Sequence, residues 1–163
     1  MGSSLVIRAL EPRDAEACDA VLASLPYFFG DPDGVRMAHE AVRHQRGFVA
    51  EADGAVRGFI TLEQHQPGSS EITWLAVQAE HRRGGIGRML VETAVELLRG
   101  EGQSMLFVLT LGPSVPEPPS VADNYEGTRE FYRRTGFVGL REFGLRDWND
   151  AYALVLGRPL LRG

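Results

Sequence analysis

The groups in this sequence best suited to chemistry lie between Glu71 and Gly136. Arg82-Arg83-Gly84-Gly85-Ile86-Gly87-Arg88 joins an apolar, β-type run that ends at Val77 to a helical stripe that begins at Ile86. A helix N-terminus leaves its first amides without partners and carries partial positive charge, and glycines let backbone approach a ligand closely. Arginines add full charge. Such a loop fits an anion, a pyrophosphate above all, although a glycine-rich turn also serves as a tight connection with no ligand. A P-loop would need Gly-Lys-Ser/Thr, and the chain has no lysine. A dinucleotide-binding turn would follow the first strand and be answered by an acidic residue about 20 positions later. Here the loop follows roughly the fourth strand, and position 107 is Phe107.

The remaining candidates are fewer. Tyr132, in Phe131-Tyr132-Arg133-Arg134-Thr135-Gly136-Phe137, is either core packing at a helix end or a proton donor. His65 and His81 are candidate proton carriers by residue type but sit in polar, turn-like stretches and read as solvated. The single cysteine, Cys18, cannot form an internal disulfide and falls where a small buried thiol is ordinary. No metal is predicted, because no His or Cys pair has ligand spacing and Asp31-Pro32-Asp33-Gly34 is too short for a calcium loop. Ser69, Ser70, Ser104, Ser114 and Ser120 lack the Gly-x-Ser-x-Gly turn of a serine nucleophile.

The elements that must position these groups can be read from periodicity. Ser4 to Ala9 alternates as a first strand, Asp14 to Leu25 repeats at helical spacing, and a second helix runs from about Val35 to Gln45. Tyr27, Phe28 and Phe29 between those helices anchor a loop or line a pocket. Gly47 to Ala52 and Val56 to Gln64 flank Asp53-Gly54, a strong hairpin signal. Glu71 to Val77 is β-branched and aromatic, hence a strand. Ile86 to Arg99 is a helix ended by Gly100, and Met105 to Leu111 a buried strand, so the two strands should run parallel with a right-handed crossover. Gly112 to Asp123, with four prolines, reads as an extended loop. Glu126 to Thr135 is a helix, and Phe137 to Phe143 and Ala151 to Leu156 are the last strands.

A chain of 163 residues, 44% hydrophobic and 24% charged, suits one domain spanning 1–163. The formal charge of −5 argues against nucleic-acid or anionic-membrane partners. No apolar run is long enough to cross a membrane and no signal peptide is evident, so a cytoplasmic setting is expected. A homodimer is left open.

Two stretches together resemble the GNAT superfamily of N-acetyltransferases. Arg82-x-x-Gly85-x-Gly87 is similar to its hallmark Gln/Arg-x-x-Gly-x-Gly/Ala after the fourth strand. Phe131 to Phe137 is similar to its second signature, aromatic-Tyr-x-x-x-Gly-Phe. Order and separation also fit, and the resemblance runs from Leu5 to Leu160. It implies an α/β fold, a GNAT-like mixed, twisted sheet of about seven strands flanked by about four helices. It implies acetyl-CoA as cosubstrate, entering where the fourth and fifth strands splay apart, and direct transfer to an amine acceptor.

By the same resemblance, Leu75, Ala76 and Val77 present backbone groups to the pantetheine arm, and the pyrophosphate lies on the loop Arg82, Arg83, Gly84, Gly85, Ile86, Gly87, Arg88. Tyr132 matches the tyrosine that protonates the leaving thiolate. The family's pantetheine-binding asparagine falls at Tyr125 here, with Asn124 one earlier, and a Tyr-x-x-Thr-x-x-Phe-Tyr run shared with some relatives brings Thr128 into that role. Glu71, four residues before Leu75, sits at the offset where histone-type members carry a catalytic glutamate. Glu63 is the runner-up. A base matters because a lysine amine of pKa about 10.4 is neutral in roughly one molecule in 2,500 at pH 7. The alternative is a coenzyme A-binding sensor or partner-binding module without turnover.

Overall fold

The computed structural model describes residues 4–25, 32–114, 119–145 and 151–161, with backbone alone for 119–124, 145 and 151. Seven strands form a single sheet: β1 (Leu5–Ala9), β2 (Arg46–Ala52), β3 (Ala55–Gln66), β4 (Ser69–Val77), β5 (Met105–Leu111), β6 (Val138–Leu145) and β7 (Ala151–Pro159), in the order β1-β2-β3-β4-β5-β7-β6. Only β4 and β5 pair in parallel, as expected for strands joined by a crossover helix. The β2–β3 turn is made by Asp53 and Gly54 at φ 54° and 75°, the left-handed pair that a two-residue hairpin requires.

Four helices cover the sheet: α1 (Ala15–Ala23), α2 (Pro32–His44), α3 (Ile86–Gly100) and α4 (Pro119–Arg134). Ile86, Leu90, Val91, Ala94, Val95 and Leu98 form the buried stripe of α3. They pack on Ile60, Leu62, Ile72, Leu106 and Leu156, joined by Tyr132 of α4. Burying such side chains contributes about 1.5–3 kcal/mol each in transfer free energy. On the other face, Cys18, Val21 and Leu22 of α1 and Ala38 and Val42 of α2 pack on Val49, Phe59 and Ala76. The architecture is therefore helix, sheet, helix, with α3 and α4 on one side and α1 and α2 on the other.

Prolines account for two departures from the sequence reading. The stretch Gly112 to Asp123 was expected to be loop throughout, yet α4 begins at Pro119, well ahead of Glu126. Likewise Pro32 to Gly34, expected as a turn, forms the first turn of α2. The missing N–H and fixed φ of proline suit the first helical position as well as they suit a loop. Pro12 does the same for a short 3₁₀ turn, Pro12–Asp14, that leads into α1. Strand β7 runs to Pro159, beyond the expected Leu156. Tyr27, Phe28, Phe29 and Asp31 lie outside the described residues. Among the described residues no helix is long and apolar enough to cross a membrane. Burial pushes the Cys18 thiol up to about 12, which leaves it a small core hydrophobe.

Candidate functional site

The parallel ladder between β4 and β5 pairs Ser69–Ile72 with Met105–Val108 and ends there. Strand β4 continues to Val77 and β5 to Leu111. Over that stretch Leu75, Ala76 and Val77 pair with Ile60, Phe59 and Gly58 of β3 on one edge only. Their other edge faces the gap, where a ligand's amide groups can complete the pairing. At the far end of β5 the guanidinium of Arg129, buried on α4, donates to the carbonyl of Leu111 at 2.7 Å and ties α4 across the opening.

A β-bulge at Thr73 sorts the side chains of β4. Leu62 pairs with Ile72 and Thr61 with Trp74, so Thr73 is the extra residue. Strict alternation would put Glu71, Thr73 and Leu75 on one face. Instead Ile72 belongs to the core under α3, with Leu75 and Val77 packed against it, while Trp74 and Ala76 belong to the core under α1 and α2. Glu71, next to Ile72, therefore points to the α1/α2 face. The Thr73 hydroxyl is held there by Thr61 Oγ1 at 2.7 Å and by the side chain of Gln45.

At the start of α3, Gly85 is the N-cap at φ 83° and no side chain caps the helix. The first helical bond runs from Met89 N–H to the Gly85 carbonyl at 3.0 Å, so the amides of Ile86, Gly87 and Arg88 lie ahead of it. Ile86 is buried and anchors the turn, whereas Arg82, Arg83, Gly84, Gly85 and Arg88 are exposed. Arg83 and Arg88 have no ion pair among the described residues. Desolvation and the neighbouring charge of Arg83 both pull the Arg82 guanidinium below its ordinary value. Crowded cations before an uncapped helix suit an anion. At Gly87 a Cβ would lie 3.2 Å from Cε2 and Cζ of Phe131. Its bare backbone admits a ring of α4.

Tyr132 is 5% exposed and sits edge-on between Phe131 and Phe137, with centroids 5.2 and 5.3 Å away. Burial raises its phenol above the usual range. Thr128 lies one turn earlier on α4 and is half-buried, on the same stripe as Tyr132. Asn124 belongs to α4, but its side chain lies outside the described residues.

Glu71 pairs across the sheet with Glu63 on β3 and Phe107 on β5. Like charges directly opposite repel. Between them stands His65, whose Nε2 lies 2.5 Å from Glu71 Oε2 and 3.8 Å from Glu63 Oε2. His65 is exposed, as its polar surroundings suggest, but it has Glu71 as a partner. Gln64 alone separates His65 from Glu63, and no sequence signal marks the bulge there. Atoms of the three side chains lie within 4.8 Å of one another, near enough to meet a cation. A tetrahedral ion with bonds of about 2.0 Å would hold its ligand atoms about 3.3 Å apart, so the 2.5 Å contact is that of a hydrogen bond.

A sheet opened ahead of an uncapped, arginine-rich helix start can take a ligand that carries both amide groups and an anion. The profile of the acetyltransferase (GNAT) domain matches residues 43–139. An uncharacterized N-acetyltransferase of Chlorobaculum tepidum is 42% identical over 118 residues, 71% of this chain and 66% of that relative, so the match spans just under two thirds of its length. A protein assigned to the GNAT family from Desulfovibrio desulfuricans superposes with a TM-score of 0.81 at 22% identity, covering 97% of this chain and all of that one. A Salmonella typhimurium protein solved with its cofactor acetyl-CoA gives 0.70 at 14% identity over 99% of this chain and 96% of its own. The chain belongs to the GNAT acetyltransferase family.

Proposed function

We propose that this chain, as one domain, is an N-acetyltransferase that moves an acetyl group from acetyl-CoA directly to an amine. The observation that carries the reading is the end of the β4–β5 ladder at Ile72 and Val108, directly ahead of the uncapped start of α3. A cosubstrate with an amide-bearing arm and a pyrophosphate needs both features side by side. Leu75, Ala76 and Val77 receive the arm, and the amides and arginines from Arg82 to Arg88 hold the pyrophosphate. On α4, positions Asn124 and Thr128 are the proposed contacts to the arm, by the resemblance to the family. When bound, acetyl-CoA supplies the activated acetyl thioester.

Glu71 acts as base from the opposite face, taking a proton from the incoming ammonium. Tyr132 acts as acid. A phenol near 10 is a weaker acid than a thiol near 8.5, so full transfer to sulfur is uphill by about 2 kcal/mol. Burial raises the phenol but also disfavours the departing thiolate, and the two effects offset each other. Tyr132 is thus protonated at neutral pH and shares its hydrogen as charge develops on sulfur. Holding both reactants in one cleft supplies much of the remaining acceleration. The reading includes a cytoplasmic setting, with neither nucleic acid nor membrane as partner, and leaves room for a homodimer.

Acetyl-CoA at 100 times its Kd should stabilise the native state by about 2.7 kcal/mol and raise Tm. Gly85→Glu, which places a carboxylate in open space at the helix start, should abolish that rise. An equal rise in both proteins would remove the pyrophosphate from this loop. Consumption of the thioester with an amine panel separates an enzyme from a coenzyme A sensor.

A further inference from the structure

We propose that His65 is a positioning residue for Glu71, orienting the carboxylate that deprotonates the acceptor; this rests on the reading of Glu71 as base. Strand β3 carries its own bulge here. Gln64 pairs with Ser70 and Gln66 with Ser69, so His65 is the unpaired extra residue, and a bulge re-aims a side chain. The imidazole is directed over β4, where Nε2 meets Glu71 Oε2 at 2.5 Å. An ionised carboxylate only accepts hydrogen bonds, so Nε2 carries the hydrogen and donates it. The ring is held on its other side by Phe107, centroid to centroid 5.9 Å at 37°, itself the register neighbour of Glu71 on β5. Glu63 stands 3.8 Å from the same nitrogen. These are the groups that face His65 from β3, β4 and β5 among the described residues, and two of them are carboxylates that would otherwise repel each other.

The side chain of Glu71 is 20% exposed, against 43% for His65 and 49% for Glu63. Glu71 is the inner member and His65 its brace. With Oε2 engaged, Oε1 is left to take the acceptor's proton. Converting an ammonium and a thioester to an amide and a thiol removes two protons from nitrogen. One ends on sulfur, and the other passes to Glu71 Oε1 and then to water. A carboxylate fixed by a charge-assisted bond presents Oε1 in one orientation, where a free one would rotate.

The test uses n-butylamine, a lysine side chain cut free, as acceptor at pH 7.5. Parent, His65→Ala, His65→Gln, Glu71→Gln and the His65→Ala/Glu71→Gln pair are compared in kcat/KM for the amine and in Tm with and without acetyl-CoA. Loss of a hydrogen bond to a charged group predicts a fall of about tenfold for His65→Ala. His65→Gln, whose amide keeps a donor, should stay within about threefold of the parent. In the Glu71→Gln background His65→Ala should cost nothing further, and every variant should keep the parent's acetyl-CoA-induced rise in Tm. Independent, multiplying losses overturn the brace while sparing the base, and so does a His65→Gln as slow as His65→Ala. A Glu71→Gln as fast as the parent overturns the base reading, and no turnover in the parent overturns the transfer itself; either takes this inference with it.

Discussion

Replacing Gly87 with alanine sets two physical demands against each other. In the first turn of α3, alanine is favoured over glycine by about 0.5–1 kcal/mol because it loses less backbone entropy on folding. Propensity alone therefore predicts a more stable protein. Packing predicts the reverse, since the new methyl would stand 3.2 Å from two ring atoms of Phe131 and 3.8 Å from Val77 Cγ2. Carbon pairs rest at about 3.5–4.0 Å, and the ring that must retreat is already in edge contact with Tyr132. Overpacking of this kind costs about 1–3 kcal/mol, leaving a net loss of about 1–2 kcal/mol. At about 2–4 °C per kcal/mol for a chain of this size, Tm should fall by about 2–8 °C, with urea midpoints moving in parallel. Adding Phe131→Leu should relieve the clash, so the double variant should lose less than the sum of the single changes. Gly85→Ala is the contrast: nothing lies within 4 Å of its Cβ, but φ is 83°, and the left-handed backbone costs about 1–2 kcal/mol that Phe131→Leu cannot recover. A Gly87→Ala protein at or above parent stability would refute the packing role of Gly87.

Tyr132→Phe removes one oxygen and keeps the ring between Phe131 and Phe137; single-turnover transfer should slow by about 10²- to 10⁴-fold while the acetyl-CoA Kd moves less than about threefold. Transfer at the parent rate would make Tyr132 core packing alone. Arg8 grips Asp14 with two bonds of 2.8 Å and holds its carboxyl below the usual carboxylate range. A depressed folded-state value gives stability that is present above about pH 4, the unfolded value, and drains as pH falls below it. Asp14→Asn should therefore cost about 2 kcal/mol in urea unfolding at pH 7 and progressively less toward pH 3; an equal loss at both would assign the effect to packing.

Much of the frame was legible because period and punctuation agreed. Asp53-Gly54 specified the hairpin, the stripe from Ile86 to Leu98 specified α3, and the parallel pairing of β4 with β5 followed from the helix between them. The prolines misled because Pro32 and Pro119 serve a helix start as readily as a loop. The glycine-rich turn into α3 could be read from composition, but the packing at Gly87 could not, since nothing local announces that Phe131, 44 positions on, will fill the space its missing Cβ leaves. The same holds for His65 and Glu71. Their meeting depends on a bulge, and an extra residue in one strand is visible only against its partner.

The bulge at Thr73 makes β4 a strand of changing parity. Before it, odd-numbered positions look toward α1 and α2; after it, they look toward α3. Glu71, proposed for the acceptor, and Leu75 and Val77, proposed for the cofactor, thus lie on one continuous strand yet send their side chains to opposite faces of the sheet, and the two reactants would meet at the gap where β4 and β5 part. Substitutions that retune the walls of one face leave those of the other in place, so acceptor preference can drift while the cofactor's seat is held fixed. Giving Thr73 a partner, by one residue inserted between Thr61 and Leu62 of β3, would restore strict alternation and turn Glu71 and Leu75 to the same side, whereas deleting Thr73 would leave them opposed.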